Sequence, residues 1–228
     1  MTLQVWLSDV DEVDLAPAQG TFSPEELARA EQIGSARLRR RFLARRWMAR
    51  TLLARATGEE PAALAIESRC ERCGRLHPAS PLAGESGEVW WSSSSSASLA
   101  AVAVSPWRVG IDIEQRREHP RWERIARRFY TEDEQRAVAG SADRFLEFWT
   151  LKEAYLKAIG IGLPGGLRSF DCTGLSRSLG EWLEGTAHPG WRLRQLDAAA
   201  GTVAAVAVEG TPDRIELRRW APDAGEAR

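Results

Sequence analysis

Two observations predict an α+β fold made of two similar, pseudo-symmetric halves. The apolar segment SLAAVAV at 98–104 is nearly repeated by TVAAVAV at 202–208. Each copy closes a stretch that also holds one long helical pattern and earlier strand patterns. Domains bury such elements by layering helices on sheets, and sites tend to form where two such units meet. The chain therefore divides into 1–106 and 107–228, with the active site expected in the cleft between the halves.

The elements follow in order. VWLSDV (5–10) reads as a short strand. SPEELARAEQI (23–33) starts a helix: Ser23 caps it, Pro24 suits its first position, and Glu25 and Glu26 favour its positive end. Residues 35–58, SARLRRRFLARRWMARTLLARATG, predict a long amphipathic helix stopped at Gly58. Its apolar stripe is Leu38, Phe42, Leu43, Trp47, Leu52 and Leu53. Loops containing HPASP and LAGESG come next. EVWWSS and SLAAVAV read as strands, and the serine run Ser92–Ser96 as a tight polar turn between them whose hydroxyls and N–H groups suit a phosphate. RVGIDIE (108–114) is a strand in which Val109, Ile111 and Ile113 alternate with Gly110, Asp112 and Glu114. In the second half, TEDEQRAV (131–138) carries a capping box, Thr131 with Glu134. A helix over 143–159 ends at Gly160, and SFDCTG, WRLRQLD and TVAAVAV read as strands.

Composition narrows the function. The 228 residues carry a formal net charge of −1, which shows no bias toward nucleic acid or a membrane surface. No apolar run is long enough to span a bilayer, and Met1 to Val13 is acidic where a leader would be basic and then apolar. Three cysteines, an odd number, argue against a disulfide framework and fit a reducing, cytoplasmic setting. A monomer is the expectation from the two-half organisation.

Several residues are suited to chemistry. Asp112 and Glu114 lie two apart on a strand, so both carboxylates project from the face that also carries Gly110. They form either a solvated face or a hard oxygen site for Mg²⁺ or Mn²⁺ with substrate phosphates. Gly110 adds weight to the second reading, because a strand glycine permits close approach of a ligand. In FWTLKEAYLKAIGIGL (148–163), Trp149, Glu153 and Lys157 share a helix face. That is either a solvated pair beside a buried Trp or a catalytic carboxylate one turn from a phosphate-binding lysine. Arg37, Arg39, Arg40, Arg41, Arg45, Arg46 and Arg50 on one helix read first as a solvated face and second as a phosphate cradle. No nucleic-acid motif accompanies them. CERCGRLH (70–77) places Cys70, Cys73 and His77 at zinc-like spacing, but a structural site needs four ligands and no second pair is near.

VGIDIE and FWTLKEAYLKAIGIGL together resemble the two signature motifs of the 4′-phosphopantetheinyl transferases, in the longer single-chain (surfactin-type) class. That family has a (V/I)G(V/I)D(I/V)E strand and, roughly forty residues on, a W-x-x-K-E-A-x-x-K-x-x-G-x-G-L helix, as do Asp112 and Glu153 here. RRRFLARRWMARTLLA resembles the family's first-half helix, and RRFYTEDE the segment between the signatures. The resemblance implies two α+β halves with coenzyme A between them. It implies transfer of the phosphopantetheine arm to a serine of an apo acyl or peptidyl carrier protein, with release of adenosine 3′,5′-bisphosphate. Carried over by position, Asp112, Glu114 and Glu153 match the metal-holding acids. Lys157 matches the lysine near the phosphates, Lys152 the first lysine of the signature, and Arg41 the region holding the nucleotide end. Arg46 is read with it on the coenzyme A side.

Two positions depart from the family pattern. A serine–histidine pair is usual before the mid-chain strand; here Ser94 takes the serine place and Ser95 the histidine place. A serine donates one hydrogen bond but brings no positive charge. The family's H-G-(K/R)-P segment corresponds to HPASP, which keeps His77 and puts Ala79 at the basic position. Weaker coenzyme A binding is expected unless arginines, Arg75 included, compensate. The rival reading is a non-catalytic relative that binds a carrier protein or nucleotide without transfer.

Overall fold

A computed structural model describes residues 2–69, 76–78, 81–85, 87–116, 121–160, 166–168, 170–173, 183–184 and 190–222. In the first half, β1 (Thr2–Asp9) is followed by α1 (Pro24–Glu31) and the long α2 (Ala36–Thr57). Three short strands come next, β2 (Glu67–Arg69), β3 (Leu76–Pro78) and β4 (Leu82–Gly84), then β5 (Gly87–Ser96) and β6 (Leu99–Ser105). The second half holds β7 (Val109–Gln115), α3 (Trp122–Phe129), α4 (Glu132–Val138) and α5 (Ala142–Ala158). It ends with β8 (Leu183–Glu184), β9 (Trp191–Leu196), β10 (Thr202–Glu209) and β11 (Arg214–Arg219).

Local signals act where expected. Ser23 and Glu26 form a reciprocal capping box on α1, Thr131 and Glu134 another on α4, and Gly58 ends α2 in the left-handed region at φ 82°. α3 is not among the elements predicted above, although Trp122, Ile125, Ala126 and Phe129 fall at helical spacing and pack on the second-half core. One strand expectation and one turn expectation are corrected. Residues 170–173 of SFDCTG form no strand. Ser92–Ser96 are part of β5, and the turn follows them at Ala97, whose φ is 52°.

The two sheets run β11-β1-β6-β5-β4 and β7-β10-β9-β8, with β2 and β3 paired separately. The near-repeated strands sit at equivalent places: β6 lies antiparallel between β1 and β5, and β10 antiparallel between β7 and β9. β11 pairs parallel with β1, so the last strand among the described residues joins the first half's sheet.

Alternation along these strands builds four layers. Ala100, Val102 and Val104 of β6 face α2, where they meet Trp47, Met48 and Leu52. Val203, Ala205 and Ala207 of β10 face α5 and its Phe145, Phe148 and Leu151. The alternate residues, Ala101, Ala103, Ala204 and Val206, join Leu3, Val5, Ile111 and Ile113 between the sheets. Both repeats are buried on both faces, which is why neither shows polar alternation.

On α2 the predicted stripe is shifted. Leu38 is exposed and Leu43 half-buried, whereas Ala44, Met48, Ala49 and Arg50 are buried. Arg50 is accommodated because Glu26 accepts from its Nε at 2.8 Å and the carbonyls of Pro61 and Leu64 accept from Nη1.

Gly110 lets a neighbour approach, but the neighbour is α5 and not a ligand. A Cβ there would lie 1.9 Å from the Ala154 carbonyl oxygen and 2.5 Å from the Ala158 nitrogen, both backbone atoms that cannot swing aside. Gly110→Ala is expected to cost about 3 kcal/mol in stability by forcing α5 off β7. Thermal melts check it; an unchanged melting temperature would contradict this contact.

Candidate functional site

β7 is the edge strand of the second sheet, so the N–H groups on its outer side need partners from elsewhere. The even-numbered serines of β5 supply them. Ser92 Oγ accepts from Ile111 N–H at 3.2 Å, and Ser96 Oγ accepts from Gln115 N–H at 3.0 Å. The same ladder orients the acids. Ser94 Oγ donates to Asp112 Oδ1 at 2.7 Å, and Ser96 Oγ donates to Glu114 Oε2 at 2.7 Å.

α5 closes the other side. Lys157 Nζ donates to Asp112 Oδ1 at 2.7 Å and to the Ile111 carbonyl at 3.1 Å. Asp112 Oδ1 thus has two donors. Asp112 Oδ2 and Glu153 Oε1 are buried with no hydrogen-bond partner. Burial, reinforced by Asp112 and Glu114 and opposed by Lys157, pushes the Glu153 carboxyl up to about 7. Two buried carboxylate oxygens without donors suit a cation, and Mg²⁺ commonly takes one or two carboxylates and completes its shell with water and substrate phosphate. The three acids read together from sequence are not drawn to one point. Among the described residues no group of three or more His, Cys, Asp or Glu side chains is arranged to hold a metal, and Glu114 is engaged by Ser96.

Beside the acids lies a cavity of about 350 Å³ between α2 and β5. Ser93, Ser94 and Ser95 form one wall and Lys157 reaches it from α5, while Phe42, Arg45, Arg46 and Arg29 line the other side. Phe42 supplies an aromatic surface among cations. Arg46 is held by Glu26 at 2.6 Å and Glu67 at 2.8 Å.

Other predicted residues lie elsewhere. Arg41 does not line the cavity; it forms a two-pronged pair with Asp11, both contacts at 2.6 Å, and with Arg37 holds that carboxyl far below its ordinary value. Lys152 is a correction. Its ammonium is fully buried and bound by Glu134 Oε1 at 2.7 Å and the carbonyls of Leu167 and Phe170, so it has no path to a phosphate in the cleft. The signal was in the spacing: five residues turn a helix by roughly 140°, so Lys152 and Lys157 cannot share a face, whereas Glu153 and Lys157 can. Arg75, Ala79, Cys70 and Cys73 lie outside the described residues, as does the side chain of His77. Arg29 and Phe42 are cavity residues that sequence reasoning did not single out for binding, because only tertiary packing distinguishes them from their neighbours.

Residues 108–207 match the 4′-phosphopantetheinyl transferase superfamily. The 4′-phosphopantetheinyl transferase HetI of Nostoc sp. is 33% identical over 212 residues, spanning 89% of this chain and 84% of its own. The chain belongs to the 4′-phosphopantetheinyl transferase superfamily. A Synechocystis sp. protein described as a candidate 4′-phosphopantetheinyl transferase, slr0495, is 28% identical over 174 residues, 72% of this chain and 67% of that one. The superfamily match begins just before β7 and ends in β10, so it takes in Asp112, Glu114, Glu153 and Lys157. The mixed architecture of two sheets with helices agrees with the superfamily fold. No helix among the described residues is long and apolar enough to cross a membrane.

Proposed function

We propose that this chain is a Mg²⁺-dependent 4′-phosphopantetheinyl transferase of the longer, single-chain class, working in the cytoplasm as a monomer. It moves the phosphopantetheine arm of coenzyme A to a serine of an apo acyl or peptidyl carrier protein. The observation that carries this reading is the unpartnered pair of buried oxygens, Asp112 Oδ2 and Glu153 Oε1, beside the Lys157 ammonium at one end of an arginine-lined cavity. Membership of the superfamily supports this choice of reaction.

The carrier serine oxygen bonds to the phosphorus that bears the pantetheine arm. The bond from that phosphorus to the bridging oxygen breaks, and adenosine 3′,5′-bisphosphate leaves. A bound Mg²⁺ would screen the pyrophosphate and stabilise charge on the departing phosphate. Asp112 and Glu153 would hold it, with Glu114 flanking them. Ser94 and Lys157 fix Asp112 so that only Oδ2 turns to the site. Lys157, a point charge, also steadies a phosphate oxygen. Glu153, directly or through a water it holds, takes the serine hydroxyl proton. Arg46, with Ser94 and Ser95, lines the path of the nucleotide end.

Intact-protein mass spectrometry of several apo carrier proteins incubated with this protein, coenzyme A and Mg²⁺ tests the reading. The expected result is a gain of one phosphopantetheine arm that EDTA abolishes. Folded protein that binds coenzyme A but modifies no carrier would instead support a non-catalytic relative.

A further inference from the structure

The even-numbered serines of β5 do more than satisfy the N–H groups of β7. Each hydroxyl has one proton to give. Ser94 gives its proton to Asp112 Oδ1, which Lys157 Nζ also reaches, both at 2.7 Å. Ser96 gives its proton to Glu114 Oε2 at 2.7 Å, while its own oxygen accepts from Gln115 N–H at 3.0 Å. Ser96 is 7% exposed, so water has little room to take its place beside Glu114. Ser92, on the same face, accepts from Ile111 N–H at 3.2 Å and bonds to no carboxylate among the described residues. The odd-numbered Ser95 faces the other way, where its hydroxyl accepts from Arg45 Nη1.

One oxygen of each β7 acid is thus committed to a fixed donor. Asp112 is left with Oδ2, buried without a hydrogen-bond partner, and Glu114 with Oε1. A carboxylate in that state offers a cation one oxygen and not two. Mg²⁺ takes single carboxylate oxygens in a near-octahedral shell, whereas Ca²⁺ takes about six to eight oxygens and often both from one carboxylate. We propose that Ser94 and Ser96 are positioning residues that restrict Asp112 and Glu114 to one free oxygen each, and that this restriction sets a preference for Mg²⁺ over Ca²⁺. The inference rests on the metal reading above. It goes beyond that reading by assigning the choice of ion to two neutral hydroxyls of the first half, acting on acids of the second.

Displacement of protein-bound Mn²⁺ by Mg²⁺ and by Ca²⁺, read from the electron paramagnetic resonance signal of the free Mn²⁺, tests it. The proteins compared are the unaltered chain, Ser96→Ala, Ser96→Thr, Ser94→Ala and Ser92→Ala. The unaltered protein is expected to release Mn²⁺ to Mg²⁺ at lower concentrations than to Ca²⁺. Ser96→Ala is expected to move that ratio toward Ca²⁺ about ten-fold, the worth of one hydrogen bond to a carboxylate. Ser94→Ala moves it less, because Lys157 still holds Asp112 Oδ1. Ser96→Thr keeps the hydroxyl and the ratio. Ser92→Ala loses the same kind of N–H contact as Ser96→Ala, so it lowers the melting temperature but keeps the ratio. A shift in Ser92→Ala as large as that in Ser96→Ala would overturn the inference, because a loosened contact between β5 and β7 would then set the ion. An unchanged ratio in both Ser94→Ala and Ser96→Ala, with Mn²⁺ still bound, would overturn it too and leave the proposed function intact. Unaltered protein that retains no Mn²⁺ would remove the metal reading and this inference together.

Discussion

Glu153→Gln is expected to reduce phosphopantetheine transfer on the order of a thousand-fold while making the metal-free protein more stable. Activity falls because an amide neither holds a divalent cation well nor accepts the serine proton. Stability rises because the carboxylate is a poor resident of its site without metal: it is 8% exposed, its Oε1 lacks a donor, and Asp112 and Glu114 repel its charge. The folded, metal-free protein keeps the Glu153 proton up to about pH 7, whereas the unfolded chain releases it near the ordinary carboxyl value. The folded state therefore binds more protons in that window, and stability falls as pH rises through it. The Gln variant lacks that slope, so its advantage grows from about pH 5 to about pH 8 and reaches about 2 kcal/mol. Added Mg²⁺ is expected to raise the melting temperature of the unaltered protein and to do little for the variant. Near-normal transfer by Glu153→Gln, or a variant less stable at the alkaline end, would refute this account of the site.

The second large effect separates structure from binding at Lys152. Lys152→Met, with Glu134 left in place, is expected to cost about 4 kcal/mol, because it strands a carboxylate that is fully buried. Glu134 is engaged from several directions: Oε2 accepts from Thr131 N–H at 2.9 Å and Oε1 from Cys172 N–H at 2.8 Å. The double variant Lys152→Met with Glu134→Gln should regain about half of the loss, since the amide oxygen still accepts while no net charge is left behind. Chemical denaturation of the unaltered protein and the two variants reads this directly. At temperatures where each is folded, the KM for coenzyme A is expected to stay unchanged. A raised KM with normal stability would instead return Lys152 to the phosphate site.

Much of this was legible along the chain because it depends on neighbours in sequence. The Ser23–Glu26 and Thr131–Glu134 boxes cap helices through bonds spanning three residues, and Gly58 ends α2 through its own backbone freedom. Asp112 and Glu114 share a face because strand geometry alternates, and Glu153 and Lys157 lie near one another because helix geometry repeats. The serine run was misread because five like residues carry no periodicity. Its strand conformation is set by pairing with β6 and by the unmatched N–H groups of β7. Gly110 announced a close approach without naming what approaches. The identical lysines of the helix motif, Lys152 and Lys157, were separable by helical angle alone, but which of the two faced the cleft required the surrounding fold.

The sequence by itself determined most of the helices and strands, the shared faces of Asp112 with Glu114 and of Glu153 with Lys157, and the family resemblance, all of which rest on local geometry and spacing. Only the tertiary structure decided that the odd and even serines face different partners, that Glu114 is engaged by Ser96, that Lys152 is a buried counter-ion, and that Arg45 alone among the cavity's cations has no described carboxylate partner. Charges are read from a sequence one at a time, but what each does depends on which opposite charge and how much water the packed chain leaves beside it.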